Sequence, residues 1–286
     1  MISVCVATHR EAPALARVVR QLVALRDRGL ADEVVVVDGA SADATIRHVR
    51  NLGATVHDPA ELMPGFGPVL GTGDVLWRAL SVLEGDVVCF VDAGSETLDA
   101  HDLRALLGPL AGDPAVGFVS GARPHGGGRV GPLTARPLID AFYPELSVLR
   151  QPLPAVFAAR RALLEALPFC TGEGIAIALL LAACAHAGSG AVVEVVLGAR
   201  SQVHPPLEDE APIAAGVLAA VTRRLHRDGL LAGQVAAQAP PERPALATLM
   251  APAPVPAADL RAGCRDRRGA RGRSAQTSGS APGSRR

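Results

Sequence analysis

Three apolar runs in this chain end on polar side chains that could hold a ligand. Val4-Cys5-Val6-Ala7 stops at Thr8 and leads to Glu11. Glu33 to Val37 stops at Asp38, with Ser41 three residues on, and Asp86 to Val91 stops at Asp92. Any one of these carboxylates could simply cap a strand end or the helix after it. Together they point to a crevice, because the carboxyl ends of parallel strands line the ligand site of an open α/β sheet. A Gly-rich loop further on, Gly126-Gly127-Gly128-Arg129, carries a single cation. No G-x-G-x-x-G follows the first strand, so a dinucleotide site is not indicated.

To bring those groups together, the chain needs a sheet wound through helices. Leu15, Val18, Val19, Leu22 and Leu25 recur at helical spacing, and 43–52 and 74–83 read as further helices. The β-branched run before Asp38 is typical of a strand buried on both faces. Thr55 and Val56 add a short third strand, and the run ending at Asp92 is the fourth. This alternation predicts an α/β fold with a doubly wound, Rossmann-like parallel sheet. A second half follows: 146–169, a helix from Gly174, a strand over 192–197, and an amphipathic helix over 213–225. The expected organisation is one domain over 1–238, in two halves at 1–120 and 121–238. Residues 239–286 read as a disordered Pro/Ala/Arg-rich tail.

Composition narrows the function. The net charge of zero over 286 residues hides a split: residues 1–238 hold 19 arginines against 25 acids, and 239–286 hold 9 against 3. An acidic body excludes a basic nucleic-acid-binding domain. Every cation is Arg, with no Lys, which reads as the bias of a GC-rich genome. The five cysteines include no C-x-x-C pair, so neither a zinc site nor a disulfide framework is indicated. A reduced, cytoplasmic protein is expected, with no leader peptide and no membrane span; the apolar stretch 174–190 reads as a buried helix. Trp77 is expected in the core, and the acids Asp209 and Glu210 on a solvated face.

The strand ends at Glu11, Val37-Asp38-Gly39-Ala40-Ser41 and Val91-Asp92 resemble those of nucleotide-sugar glycosyltransferases of the GT-A fold. Gly71-Thr72-Gly73-Asp74, Gly126-Gly127-Gly128-Arg129-Val130, Ala135-Arg136-Pro137-Leu138, Gln151-Pro152-Leu153 and Leu197-Gly198-Ala199-Arg200 follow in the order found in glucosyl-3-phosphoglycerate synthases. The resemblance runs from about Ile2 to Met250. It implies retaining transfer of glucose from UDP-glucose to 3-phosphoglycerate, aided by Mg²⁺ or Mn²⁺. It further implies that Thr8, Glu11, Asp38, Ser41 and Asp92 bind the donor, and that Gly128 and Arg129 bind the acceptor anion. Asp92 and His204 become the metal ligands. No catalytic residue is assigned, and a homodimer is left open.

The sequence departs from that pattern at charged positions. The acidic triplet reads Asp92-Ala93-Gly94, and Thr72 stands where the family has lysine. Gln202 replaces a histidine, with His204 two residues on, and Val156 and Ala176 replace two acids. Metal binding is therefore expected to be weak or lost. The alternative reading is a paralogue that keeps nucleotide-sugar binding without turnover.

Overall fold

The computed structural model describes residues 1–8, 14–93, 98–124, 128–199, 206–231 and 241–250. Met1–Leu249 form one compact unit. The chain opens with β1 (Ile2–Thr8), α1 (Leu15–Asp27), β2 (Glu33–Asp38), α2 (Asp43–Asn51) and β3 (Thr55–His57). Next come α3 (Thr72–Ala79), β4 (Val87–Asp92), α4 (Ala100–Gly112), β5 (Phe118–Ala122) and α5 (Arg136–Phe142). The second half holds β6 (Val156–Arg160), α6 (Arg161–Ala166), β7 (Phe169–Cys170), α7 (Ile175–Ala187) and β8 (Val192–Val196). It ends with α8 (Leu207–Arg227), β9 (Glu242–Arg243) and α9 (Leu246–Met250).

Seven strands form one sheet in the order β3-β2-β1-β4-β6-β5-β8. The first four strands pair in parallel, as the βα alternation requires. The expectation of an all-parallel sheet fails at β6, which runs antiparallel to both β4 and β5. A parallel partner would need a crossover to the opposite edge. Instead β6 begins at the edge where β4 ends: Val156 pairs with Val91, and Ala155 accepts the Asp92 N–H at 3.0 Å. Beyond β5, β8 is parallel again.

The strands are apolar on both faces, so the core has two layers. Cys5, Ala7, Val35, Val37, Phe90 and Phe157 pack under α3, α7 and α8. Val4, Val6, Val34, Val36, Cys89 and Val91 pack under α1 and α4. Burial pushes the thiols of Cys5 and Cys89 up, the latter to about 12, which keeps both unreactive. Trp77 is fully buried. Helix α7 is apolar around its circumference as far as Cys184, where it is enclosed; its last turn, with His186, is exposed. Among the described residues no helix is long and apolar enough to cross a membrane. Helix α8 starts six residues earlier than the amphipathic pattern indicates, ahead of Pro212; Glu208, Asp209 and Glu210 in its first turn suit the positive end of the helix dipole.

The tail begins later than composition suggests. Residues 241–250 are ordered: β9 pairs antiparallel with β7, and both Arg243 and Leu246 are buried. Residues 232–240 and 251–286 lie outside the described residues. Ending the chain after Met250 is expected to leave the unfolding midpoint unchanged, because the remaining segment is too poor in bulky apolar residues to offset ordering entropy. Ending it after Gln238 removes the partner of a buried carboxylate, Asp74, at a cost of about 3–5 kcal/mol. Calorimetric melting of the two truncations checks both halves of this expectation.

Candidate active site

The parallel register sets the strand-end groups in a row. Thr8 pairs with Asp38 across β1 and β2, and Ala7 pairs with Asp92 across β1 and β4. Because side chains alternate along a strand, Thr8 and Asp38 share one face of the sheet edge. Asp92, level with Ala7, sits on the other. The expected convergence is thus a split pair straddling the edge. Asp38 is buried, and its carboxylate is already oriented: Oδ1 accepts the N–H groups of Ala40 and Ser41 at 2.8 and 2.9 Å, and Oδ2 accepts the Ser41 hydroxyl at 2.5 Å. Ser41 therefore acts on Asp38 before any ligand arrives. Asp92 is exposed.

On the Asp92 side a pocket of about 90 Å³ is lined by Ala7, Thr72, Leu76, Asp92, Ala155 and Phe157, among others. That volume takes part of a ligand; drug-sized ligands need roughly 300–1,000 Å³. Glu11, Gly94, Gln202 and His204 lie outside the described residues. Val156 is buried on the far side of β6, in the layer under α1 and α4, so its side chain is not part of this pocket. Thr72, where a lysine was expected, donates from its hydroxyl to Glu173 Oε1 at 2.9 Å.

The loop that enters α3 at Thr72 is pinned from behind. Asp74, fully buried, receives a forked pair of hydrogen bonds from Arg243, both 2.7 Å, and the Leu70 N–H at 3.0 Å. Arg78, also fully buried, lies 3.4 Å from the same carboxylate. Burial alone would raise the Asp74 pKa. Arg243, the Leu70 N–H and Arg78 more than offset this, and hold it below the ordinary carboxylate range. Gly73 permits the fit: a Cβ there would stand 1.8 Å from the Cys170 carbonyl oxygen.

Arg129, after the Gly-rich run, is half exposed and bound to Glu210. Its Nε donates to Oε2 at 2.8 Å and its backbone N–H to Oε1 at 3.2 Å. Gly128 turns the chain with φ +60°, and a Cβ would press on the same carboxylate at 3.1 Å. Glu210 is buried, which corrects half of the expectation of a solvated acid pair; Asp209 is exposed as expected. Residues 125–127 of the loop lie outside the described residues. Three groups that bear on the site thus escaped the sequence reading: Glu173, Glu210 and Arg243.

A model of glycosyl transferase family 2 matches residues 3–178, more than half of the chain. The chain belongs to glycosyl transferase family 2. It is 36% identical over 213 residues to the glucosyl-3-phosphoglycerate synthase of Petrotoga mobilis, covering 71% of this chain and 66%, just under two thirds, of that protein. The Mycolicibacterium smegmatis synthase is 36% identical over 207 residues, 68% of each chain. Among solved structures, mannosyl-3-phosphoglycerate synthase from Rubrobacter xylanophilus superposes with TM-score 0.78 at 34% identity, covering 88% of this chain and 89% of that one. The Mycobacterium tuberculosis glucosyl-3-phosphoglycerate synthase, in complex with Mn²⁺, UDP-glucose and phosphoglyceric acid, does so at 0.77 and 32%, covering 87% and 91%. The resemblance carried by the motifs is borne out, and so is the GT-A type α/β fold.

Within this family 2 chain, Asp74 gives stability a defined pH dependence. Its folded pKa is depressed, so its contribution is present above the unfolded value near 3.9 and is lost as pH falls through the folded one. Asp74→Asn should cost about 3–5 kcal/mol at pH 6. Urea unfolding at stepped pH is expected to show that penalty shrinking as pH falls below about 4, the unfolded value, towards the lower folded pKa at which the parent carboxyl is itself neutralised.

Proposed function

We propose that this chain is a hexosyltransferase that moves glucose from UDP-glucose to 3-phosphoglycerate. The observation that carries the reading is the strand-end edge: Thr8 and Asp38 side by side, and Asp92 opening with Thr72 into a pocket. This edge occurs in a chain whose relatives bear that activity in their names and whose solved neighbour holds Mn²⁺, UDP-glucose and phosphoglyceric acid. Thr8, Asp38 and Ser41, continued by Glu11, hold the nucleoside. Asp92 and Thr72 face the diphosphate side. Gly128 and Arg129 receive the acceptor anion, with the guanidinium oriented by Glu210. The glucosyl–oxygen bond of the donor breaks with its electron pair on UDP, and a hydroxyl of the acceptor bonds the anomeric carbon while its proton passes to the departing diphosphate.

A divalent cation fits these residues in a limited way. Asp92 offers one exposed carboxylate, and no group of three His, Cys, Asp or Glu side chains that could hold a metal occurs among the described residues. Mg²⁺ is commonly held by one or two carboxylates with substrate phosphates, so Asp92 and the donor diphosphate suffice, with His204 as a further ligand. Bound there, the ion offsets charge on the leaving diphosphate. With Gly94 and Gln202 in the sequence at former ligand positions, this contribution is weak.

Calorimetric titration of the full chain with UDP is expected to give binding whose Kd changes little when Mn²⁺ is added. Arg129→Gln should leave that Kd alone and raise KM for 3-phosphoglycerate about 10- to 100-fold, the worth of one charged hydrogen bond. Absence of UDP binding, or an unchanged KM in the variant, would overturn the reading.

A further inference from the structure

We infer that Arg243 is a positioning residue for the donor loop, holding Leu70 to Asp74 in place without touching the donor. The inference rests on the donor reading of the Asp92 and Thr72 pocket. One guanidinium grips both arms of the loop. Nε and Nη2 fork onto the Asp74 carboxylate at 2.7 Å each, and Nη1 donates to the Phe66 carbonyl at 2.8 Å. It lies 5.9 Å from the Phe66 ring centre and 5.5 Å from that of Trp77, within cation–π range. Asp74 carries the constraint forward: its carboxylate accepts the Leu70 N–H, and its own N–H donates to the Thr171 carbonyl at 3.2 Å. Thr72 stands between those two anchored residues, on the pocket wall. Its backbone can move only if Asp74 moves.

The neighbour on the strand faces the other way. Glu242 pairs with Arg223 and Arg227 near the end of α8, whose first turn carries Glu210, the partner of Arg129. The dipeptide Glu242-Arg243 therefore ties the donor loop to the helix that orients the acceptor arginine. Around it the backbone is fastened: Trp77 Nε1 donates to the Pro244 carbonyl at 2.9 Å, and the Thr171 hydroxyl to the Pro241 carbonyl at 2.7 Å. Lysine could supply the charge but not the fork, since an ammonium is a point donor on a flexible stem.

The test compares the full parent chain with Arg243→Lys, which keeps the charge, and with Glu242→Gln, which breaks only the outer side of the strap. In hydrogen–deuterium exchange without ligand, Arg243→Lys is expected to speed exchange of the Leu70, Asp74 and Val75 amides at least tenfold. The amides of β1 should stay within twofold. In calorimetry its Kd for UDP should rise about tenfold, while KM for 3-phosphoglycerate in the transfer assay stays within twofold. Glu242→Gln should lower the melting temperature and leave the loop amides and the UDP Kd unchanged. Parental exchange at the loop in Arg243→Lys, acceleration spread evenly over the sheet, or a parental UDP Kd would each overturn the inference. If the parent binds no UDP, the donor reading fails, and the exchange measurement still decides whether Arg243 holds the loop.

Discussion

A carboxylate with no solvent exposure, Asp74, sits at the centre of this molecule's irregular backbone. Removing such a charge from water costs several kcal/mol unless the interior returns equivalent partners. Two arginines and a backbone N–H return them. Having met Asp74, both arginines have donors to spare, and these satisfy carbonyls that no helix or strand could. Arg78 donates to the carbonyls of Pro59, Leu62, Gly67 and Pro68, and Arg243 to that of Phe66. Carbonyls drawn part-way out of water still need partners, and the guanidinium core supplies them to the stretch between β3 and α3, most of whose residues stay exposed on their outer side. The absence of lysine suits this arrangement, because guanidinium stays charged where burial would neutralise an amine.

The rest of the site depends on where that loop is held. Strand alternation gives Thr8 and Asp38 one face of the sheet edge and Asp92 the other, so a ligand lying across the edge meets polar groups on both sides. The reversal of β6 brings its start, at Ala155, beside Asp92 and forms the pocket floor with Phe157. A parallel strand would have arrived there with its carboxyl end. The topology of the second half and the shape of the pocket beside Asp92 are therefore one fact.

Much of this was legible in the residues. The runs Val34–Val37 and Val87–Val91 announce buried strands, and the polar groups after them mark the crevice. Strand β6 was not visible, because Val156–Arg160 is a short run with two alanines and carries no strong period. Glu173, Glu210 and Arg243 escaped for a different reason. Their partners Thr72, Arg129 and Asp74 stand 101, 81 and 169 residues away. Periodicity and local composition report on neighbours, so Glu210 reads as one more acid at a helix start, and Arg243 as one more cation in a Pro- and Ala-rich stretch. Burial of a charge is a tertiary property, and the signal that would expose it is the cost of leaving it unpaired.

The separation of 169 residues between Asp74 and Arg243 has a consequence in time. Chains emerge from the ribosome at about 5–20 residues per second, so Asp74 is synthesised some 10–30 s before the arginine that completes its shell. During that interval β1 to β4 and their helices have their sequence in hand, but the loop beside the pocket has only Arg78 to hold it. The constraint on that loop is therefore the last to arrive, after all seven strands of the central sheet have been made.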